Sequence, residues 1–236
     1  MVKIISLAAV ALMLSAYPVM AQYANPRVSV FVAGSFINGD RNFTLAGTPS
    51  GPFQSEFKKG GKLGFRFGVD LADHWAGEAA YSFGANDFRI IQTINFLAPN
   101  ERLVERQFDL FVHQFLVNGS YHFVPPGEEF RPFVTVGIGL TRFSPTETAK
   151  QQALTNFFSG PTRIGSDTTL GMNFGGGFEA AATENIGVRF DLRDHIVGIP
   201  RFGLPEQPLN PGGAYYPATG AVHNWEIAIG ALFYFR

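Results

Sequence analysis

The sequence predicts an all-β chain that closes into one eight-stranded, antiparallel, up-and-down barrel, and three observations support this prediction. First, residues 223–236 place apolar and aromatic side chains on one parity and mixed or polar side chains on the other. Side chains alternate between the two faces of a strand, so this stretch is a strand with one apolar face. Second, the same alternation recurs along the chain. Third, the composition combines 25 Phe and 27 Gly with only 16% charged residues, which is unusual for a soluble globular domain.

The alternation places the strands one after another. It is clearest at residues 62–71, where five apolar side chains alternate with Lys62, Gly64, Arg66, Gly68 and Asp70. Five matches on each side favour a period of two over a helical period. The predicted strands are residues 27–37, 62–71, 75–84, 107–123, 131–143, 169–179, 186–195 and 223–236.

The connections between these strands alternate in length. Short turns are expected at residues 72–74, 125–127 and 181–184, and long loops at 38–61, 86–106, 144–166 and 196–221. An even number of strands with short turns at one end and long loops at the other is typical of bacterial outer-membrane barrels. We therefore expect short periplasmic turns, long extracellular loops and both chain termini on the periplasmic side.

The direction of each apolar strand face depends on whether the barrel lies in a membrane or in water. After the first 21 residues no window approaches the roughly 20 apolar residues that a spanning helix needs. A closed barrel is the other structure that crosses lipid, because lipid cannot satisfy strand edges. The rival interpretation is a secreted, lipocalin-like barrel with its apolar parity turned inward around a ligand. The strands carry charged side chains on the face opposite their continuous Phe and Val side chains. This favours the transmembrane β-barrel over the lipocalin-like barrel.

These charges make up the main candidate site. An eight-stranded barrel has an interior just wide enough for side chains to fill it. The inward charges must therefore meet one another, and Glu78 is expected diagonal to both Arg66 and Asp70. The predicted lumen salt-bridge network consists of Arg66, Asp70, Glu78, Arg189, Asp191, Arg193 and Glu226. The expected role is a packed structural plug, and the alternative is a gated ion path.

The first 21 residues resemble a secretory signal. Lys3 provides a basic start, residues 4–16 are apolar, Pro18 breaks the helix, and Ala21 ends a small-residue cleavage site. An uncleaved membrane anchor is the alternative. We therefore divide the chain into a signal peptide at residues 1–21 and a barrel domain at residues 22–236.

Other chemistry is weakly supported. The chain has no Cys and a net charge of −1, which argues against disulfides, thiol chemistry and a nucleic-acid partner. Asp194 and His195 are adjacent and should point to opposite faces, so they are not expected to form a catalytic pair. Ser144 and His223 lie at the loop-side ends of other strands. We expect no catalytic residues, no metal site, no cofactor and no enzymatic activity.

Several segments carry a family resemblance, namely RPFVTVGIGLTRF, MNFGGGFEA, NIGVRFDLRDH and HNWEIAIGALFYFR. They resemble the small outer-membrane β-barrel family, which includes OmpA-like transmembrane domains and opacity-type proteins. The resemblance implies a monomer in the bacterial outer membrane, in contact with lipid and lipopolysaccharide. It also implies that the outer-membrane assembly machinery reads the last strand. The corresponding signal residues are Trp225, Ile229, Ala231, Phe233 and Phe235, with Arg236 following them.

Three functions follow in order of preference. The first is a structural or surface-interaction role through the extracellular loops, since exposed loops on a rigid scaffold commonly carry binding function. The alternative is a narrow channel or carrier for small or hydrophobic solutes. The third is an outer-membrane enzyme that modifies lipid.

Overall fold

The computed structural model describes residues 25–38, 41–43, 53–95, 101–155, 163–207, 216 and 220–235 of the 236-residue chain. The predicted signal peptide at residues 1–21 lies outside this part. The elements, in chain order, are β1 (Pro26–Asn38), β2 (Arg41–Phe43), β3 (Phe53–Phe57), β4 (Gly60–Asp70), β5 (Trp75–Asn95), β6 (Glu101–His122), β7 (Phe130–Pro145), α1 (Glu147–Leu154), β8 (Asp167–Ala181), β9 (Ile186–Gly198) and β10 (Ala221–Tyr234).

Eight of these strands form a closed antiparallel barrel. Their order around the wall is β1, β4, β5, β6, β7, β8, β9 and β10, and every neighbouring pair is hydrogen-bonded. The last strand closes on the first one, with Phe36 opposite Trp225 and Val28 opposite Phe233. The predicted eight-stranded up-and-down barrel is therefore confirmed, and it has no open edge in its wall strands.

The wall places its apolar side chains outside. Val136, for example, is 63% exposed on β7, and its outward parity on β7 also carries Val134, Ile138 and Leu140. The opposite parity carries buried polar and charged side chains. This distribution is the reverse of that in a soluble protein and agrees with the predicted parity of each strand.

The region predicted as an irregular loop at residues 86–106 is mostly strand, which corrects that prediction. Strands β5 and β6 pair continuously from Trp75–Tyr121 to Asn95–Glu101. The sequence does not show this extension clearly, because polar residues such as Gln92 and Arg106 interrupt the strict alternation seen in the wall. The backbone hydrogen bonds of the ladder continue there, although the side chains no longer alternate regularly between apolar and polar as they do in strands beside lipid.

Two further strands lie within the predicted loop at residues 38–61. β3 pairs with residues 88–92 of β5, and β2 pairs with β3. Together with the upper parts of β5 and β6 they form a small sheet at the end of the barrel that carries the long connections. We call residues 41–43, 53–57, 88–95 and 101–108 the loop-end sheet.

The predicted loop at residues 144–166 contains the eight-residue helix α1. Its N-cap is Thr146, whose hydroxyl accepts a hydrogen bond from the Ala149 backbone N–H at 3.2 Å. Ala149 and Ala153 are buried on one side of the helix, so α1 packs against the loop end of the barrel. Among the described residues, no helix is long and apolar enough to cross a membrane.

Candidate functional site

The barrel lumen holds a dense set of buried charges. Because β4, β5, β9 and β10 each alternate, charged residues two positions apart on one strand face the interior together. The inward charged side chains are six basic, namely Arg27, Lys62, Arg66, Arg131, Arg189 and Arg193, and five acidic, namely Asp70, Glu78, Glu179, Asp191 and Glu226. The described lumen therefore carries one more basic than acidic group, and the charges must be arranged in pairs to be tolerated there.

Five of the predicted residues meet at the centre of the lumen. Asp191 contacts Arg189 Nε at 3.0 Å, Arg193 Nη2 at 2.8 Å and Arg66 Nη1 at 3.1 Å. Glu78 contacts Arg189 Nη1 at 2.8 Å and Arg193 Nη2 at 3.0 Å. We call Arg66, Glu78, Arg189, Asp191 and Arg193 the central cluster. Three guanidinium groups share two carboxylates, so each carboxylate has more than one cationic partner.

Glu78 lies opposite Gly68 and thus diagonal to both Arg66 and Asp70, as expected, but the ion-pair partners of Asp70 are not among the predicted residues. Asp70 makes a very short contact with Arg27 Nη1 and lies 3.5 Å from Arg131 Nη2, at the turn end of the lumen. Arg66 and Asp70 share a face of β4 but are four residues apart, which is about 13 Å along a strand. Shared parity alone therefore does not bring them together.

Glu179 connects the turn end to the central cluster. It contacts Arg27 Nε at 3.3 Å, Arg131 Nη1 at 3.5 Å and Arg189 Nη1 at 3.1 Å. The sequence places Glu179 on the inward parity of its strand, but it does not indicate that Glu179 connects the turn end to the central cluster. Arg27 and Arg131 lie at the beginning of their strands, where alternation is a weak guide.

Glu226 lies at the opposite end of the network. Its nearest cation is Lys62, at 2.9 Å, and Arg66 Nη2 is 3.5 Å away. Lys62 also donates to Gln114 Oε1 at 3.2 Å, and His195 Nε2 lies 3.5 Å from Glu226. Of the partners predicted for Glu226, the structure brings Arg66 to it, while Lys62 was missed.

Neutral groups complete the packing of the lumen. Asn118 donates to Glu78 Oε1 at 3.0 Å, and Asn173 donates to Asn118 Oδ1 at 2.8 Å. Gly175 has no space for a side chain, because a Cβ there would lie 2.2 Å from the Leu192 carbonyl oxygen and 3.0 Å from Arg193 Cγ. The glycine thus lets β9 carry a long arginine close to β8.

An apolar cluster covers the loop end of the lumen. It consists of Ile37, Phe57, Phe88, Phe108, Leu110, Val112, Phe143, Ala149, Ala153, Ile164, Val197, Ile199, Phe202, Leu204, Tyr216 and Val222, which we call the cap cluster. Phe202 lies 5.4 Å from Phe88 and 5.6 Å from Phe108 between ring centroids. The inward parity thus changes from charged to apolar toward the loops, a change that was not predicted from the sequence.

The structure pairs two of the residues considered for catalysis, Asp194 and His223, and separates them from His195 and Ser144. Asp194 is buried on the outward parity with its Oδ2 2.7 Å from His223 Nδ1, whereas His195 faces Glu226 inside. Ser144 lies on β7, and β8 and β9 separate that strand from β10. Within the described ranges no group of three or more His, Cys, Asp or Glu side chains could hold a metal ion.

The residues proposed as an assembly signal lie together on the outside of the last strand. Trp225, Ile229, Phe233 and Phe235 are exposed there, as is Ala231. Arg236 lies outside the described residues. The arrangement offers one continuous apolar stripe from the loop end of β10 to the turn end.

A closed barrel with apolar side chains outside and charges inside defines a transmembrane β-barrel, since all backbone groups of the wall are satisfied between strands. The chain belongs to the outer membrane protein beta-barrel domain family, whose model matches residues 6–233. The protein is accordingly located in the bacterial outer membrane. Its short turns are periplasmic, and its loop end, with the loop-end sheet, is extracellular.

Solved structures of outer-membrane proteins are similar to this chain to different degrees. The outer membrane protein OprG from Pseudomonas aeruginosa has a TM-score of 0.57 at 14% identity, covering 91% of this chain and 97% of that chain. Neisserial surface protein A has a TM-score of 0.46 at 15% identity, covering 90% of this chain and 99% of that chain. E. coli outer membrane protein W has a TM-score of 0.42 at 16% identity, covering 90% and 98%. No curated protein matches the chain in sequence.

Proposed function

We propose that this protein is a non-conducting, monomeric outer-membrane barrel that supports a surface for extracellular contacts. The observation that carries the proposal is the continuous series of ion pairs along the lumen. From the periplasmic end it runs through Asp70, Arg27, Glu179, Arg189, Glu78, Arg193, Asp191, Arg66, Glu226 and Lys62. The cap cluster then covers the extracellular end of this series.

The energetics of buried ion pairs support a closed lumen. Removing one partner of such a pair commonly costs about 3–5 kcal/mol, because the other charge is left unpaired. A hydrated ion that passes the central cluster would have to separate several of these contacts in succession. Barrels with open aqueous channels have about 16–18 strands, whereas eight strands enclose only enough space for side chains.

The loop-end sheet supports the second part of the proposal. Beyond Asp87–Asp109, β5 and β6 continue for eight residue pairs, which is about 27 Å along the strands. β3 adds a third paired strand to this extension. A paired sheet is a more rigid support for binding loops than an irregular connection, and such loops commonly carry function.

Two partners follow from the outer face of the barrel. We propose that lipid and lipopolysaccharide surround the apolar band. We further propose that the assembly machinery reads the stripe of Trp225, Ile229, Ala231, Phe233 and Phe235. Strand β10 is suited to this role because it closes the barrel against β1.

Conductance measurements test the closed lumen. The purified, folded protein should give no stable, large conductance steps in planar lipid bilayers. As a positive control, a porin inserted in the same bilayers should give clear steps. Stable openings of porin size from this protein would overturn the proposal.

Adhesion of cells tests the surface role. Replacing residues 90–106 with a short turn, which keeps Phe88 and Phe108 of the cap cluster, should leave a barrel that still shifts in heat-modified electrophoresis. Bacteria that display the complete protein should bind epithelial monolayers better than those that display the shortened one. Equal binding by the two strains would contradict the assignment to the loop-end sheet.

A narrow carrier for small or hydrophobic solutes is the second candidate. It is favoured by the extracellular start of β8, where residues 167–170 have no pairing partner on the β9 side because the ladder ends at Gly171–Val197. Liposome swelling distinguishes this function from the first one. Swelling that depends on the protein and on solute size would favour the carrier.

A further inference from the structure

A cavity of about 550 Å³ lies at the extracellular end of the barrel, between the start of β8 and the segment after β9. Its lining includes Asp167, Thr168, Thr169, Ile199, Arg201 and Leu204. The β9–β10 ladder continues to Gly198, whereas the β8–β9 ladder ends at Gly171–Val197, so residues 167–170 of β8 lie beside the segment after β9 without strand pairing to it. We propose that this cavity is a binding site for a small amphiphilic carboxylate.

The charged side of the cavity offers donors for an anion. Arg201 contacts Glu206 Oε1 through Nη2 at 2.6 Å, and its side chain is 42% exposed. A guanidinium carries five N–H donors in a planar arrangement that matches a carboxylate. The contact with Glu206 therefore leaves further donors for a ligand, and Thr168 and Thr169 are also among the lining residues.

Asp167 has a different role from Arg201. Its Oδ2 accepts a hydrogen bond from the Arg201 backbone N–H at 2.6 Å, and its Oδ1 accepts one from the Thr168 N–H at 2.8 Å. Both carboxylate oxygens are thus engaged by the backbone. The acid ties the segment after β9 to the start of β8 and holds the cavity in shape, which leaves the guanidinium as the charged group available to a ligand.

The opposite side of the cavity is apolar. Ile199 and Leu204 are 7% and 8% exposed and belong to the cap cluster, and Pro205 extends this surface. Pockets of about 300–1,000 Å³ commonly bind small molecules through apolar walls and a few placed polar groups. A ligand with a carboxylate at one end and a short apolar body fits both sides.

The segment that carries Arg201 is fixed before any ligand arrives. Leu204 N–H donates to the Arg201 carbonyl at 2.9 Å, and Gly165 N–H donates to the Phe202 carbonyl at 2.9 Å. Phe202 has a φ of 56°, a left-handed conformation that is unfavourable for a bulky residue. The packing of its ring in the cap cluster retains this conformation. Preorganised groups bind with less loss of conformational freedom, which favours a ligand site at this turn.

The inference is independent of whether the lumen conducts, because the cavity lies beside the cap cluster and outside the ion-pair series. The test uses the complete mature protein in nanodiscs of zwitterionic phosphatidylcholine. Sodium octanoate is titrated by isothermal calorimetry, with octanol and octylammonium as comparison probes of the same chain length. Octanoate should bind saturably and about tenfold or more tightly than either comparison probe.

Three variants sharpen the test. Arg201→Gln should weaken octanoate binding about tenfold or more, because charge-assisted hydrogen bonds are the strong ones. Glu206→Gln should strengthen it by roughly threefold, because it removes the competing carboxylate from the guanidinium. Lys150→Gln is the matched control, since Lys150 is also paired with an exposed acid, Glu147 Oε1 at 2.6 Å, but on α1 outside the cavity lining.

The opposite responses of Arg201→Gln and Glu206→Gln separate ligand binding from a general loss of folding. Heat-modified electrophoresis verifies that each variant is folded. Octanoate uptake that does not saturate, or that is unchanged in both variants, would overturn the inference. Equal affinity for octanol would show that the site does not recognise the carboxylate group, which overturns that part of the inference. Tighter binding of octylammonium would show that the site binds cations through Asp167 instead.

Discussion

Arg66 on β4 and Asp191 on β9 meet across the lumen with 3.1 Å between Nη1 and Oδ2, although two strands, β1 and β10, lie between them in the wall. Both side chains are buried. The contact therefore connects parts of the barrel that the backbone ladder does not connect directly. Asp191 also holds Arg189 and Arg193 on its own strand, so all three guanidinium groups of the central cluster lie within 3.1 Å of its carboxylate.

Replacing Asp191 with Asn should strongly destabilise the barrel. The described lumen already has one more basic than acidic group, and the substitution leaves three guanidinium groups to share Glu78. We expect a loss of about 3–5 kcal/mol in the free energy of unfolding. Urea titration in lipid vesicles, followed by tryptophan fluorescence, measures it.

Asp73→Asn provides the matched control, because Asp73 is exposed in the turn between β4 and β5. Exposed substitutions usually stay within about 0.5 kcal/mol. If the two variants unfold at the same urea concentration, Asp191 is not the centre of the network.

Replacing Gly175 with Ala should separate β8 from β9. A Cβ at this position would lie 2.2 Å from the Leu192 carbonyl oxygen, a distance that backbone atoms can relieve only by moving. Overpacking of this kind costs about 1–3 kcal/mol. The same unfolding titration measures the loss.

Gly61→Ala is the corresponding control on β4. Nothing lies within 4 Å of a Cβ built at Gly61, so the added methyl group meets open space. We expect little change in stability there, or a small gain from the reduced freedom of the unfolded chain. A similar loss in both variants would mean that glycine is needed for the strand conformation rather than for close approach.

The sequence predicted the wall because lipid imposes a simple rule on it. Most outward positions must be apolar, so the alternation that runs through Leu63, Phe65 and Phe67 persists along the wall strands. The same rule places Arg66 and Asp191 inside without any knowledge of their partners. The strand positions and the inward charges were therefore accessible from the residues alone.

The pairing of these charges was not accessible in the same way. Arg27 and Arg131 stand at strand ends, and their contacts with Asp70 and Glu179 depend on the curvature of the closed wall. Similarly, β2, β3 and the extension of β5 and β6 lie beyond the regular alternation of the wall, and Phe57, Phe88 and Phe108 there are buried in the cap cluster. Without the strict outward apolar parity that lipid imposes, the period that reveals a strand is weaker.

An arginine in the middle of the apolar outer surface of the barrel should test the position of the membrane. Ile229 lies midway along β10 and is exposed. Ile229→Arg should reduce the free energy of unfolding by about 2–4 kcal/mol, the cost of an arginine at the bilayer midplane. Ala221→Arg, at the extracellular start of the same strand, should cost about 0–1 kcal/mol. Equal losses from the two variants, measured in vesicles of one lipid thickness, would show that the band is displaced along β10.

The proposed assembly signal makes a prediction about rate rather than stability. Phe235 follows β10, its side chain is exposed, and its backbone N–H donates to the Pro26 carbonyl at 2.9 Å, a contact that any residue except proline keeps. Phe235→Ala should therefore slow insertion into the outer membrane in cells, while the purified variant loses at most about 1 kcal/mol of stability.

Pulse-chase labelling with heat-modified electrophoresis measures the insertion rate, and urea titration measures stability. Phe123→Ala is the matched control, because Phe123 is an exposed aromatic residue at the periplasmic end of the wall but follows β6. It should insert at the rate of the unchanged protein. Equal delays in the two variants would assign the effect to the aromatic belt in general. A delay confined to Phe235→Ala would favour recognition of the last strand, because the two positions have comparable exposure and differ in the strand to which they belong.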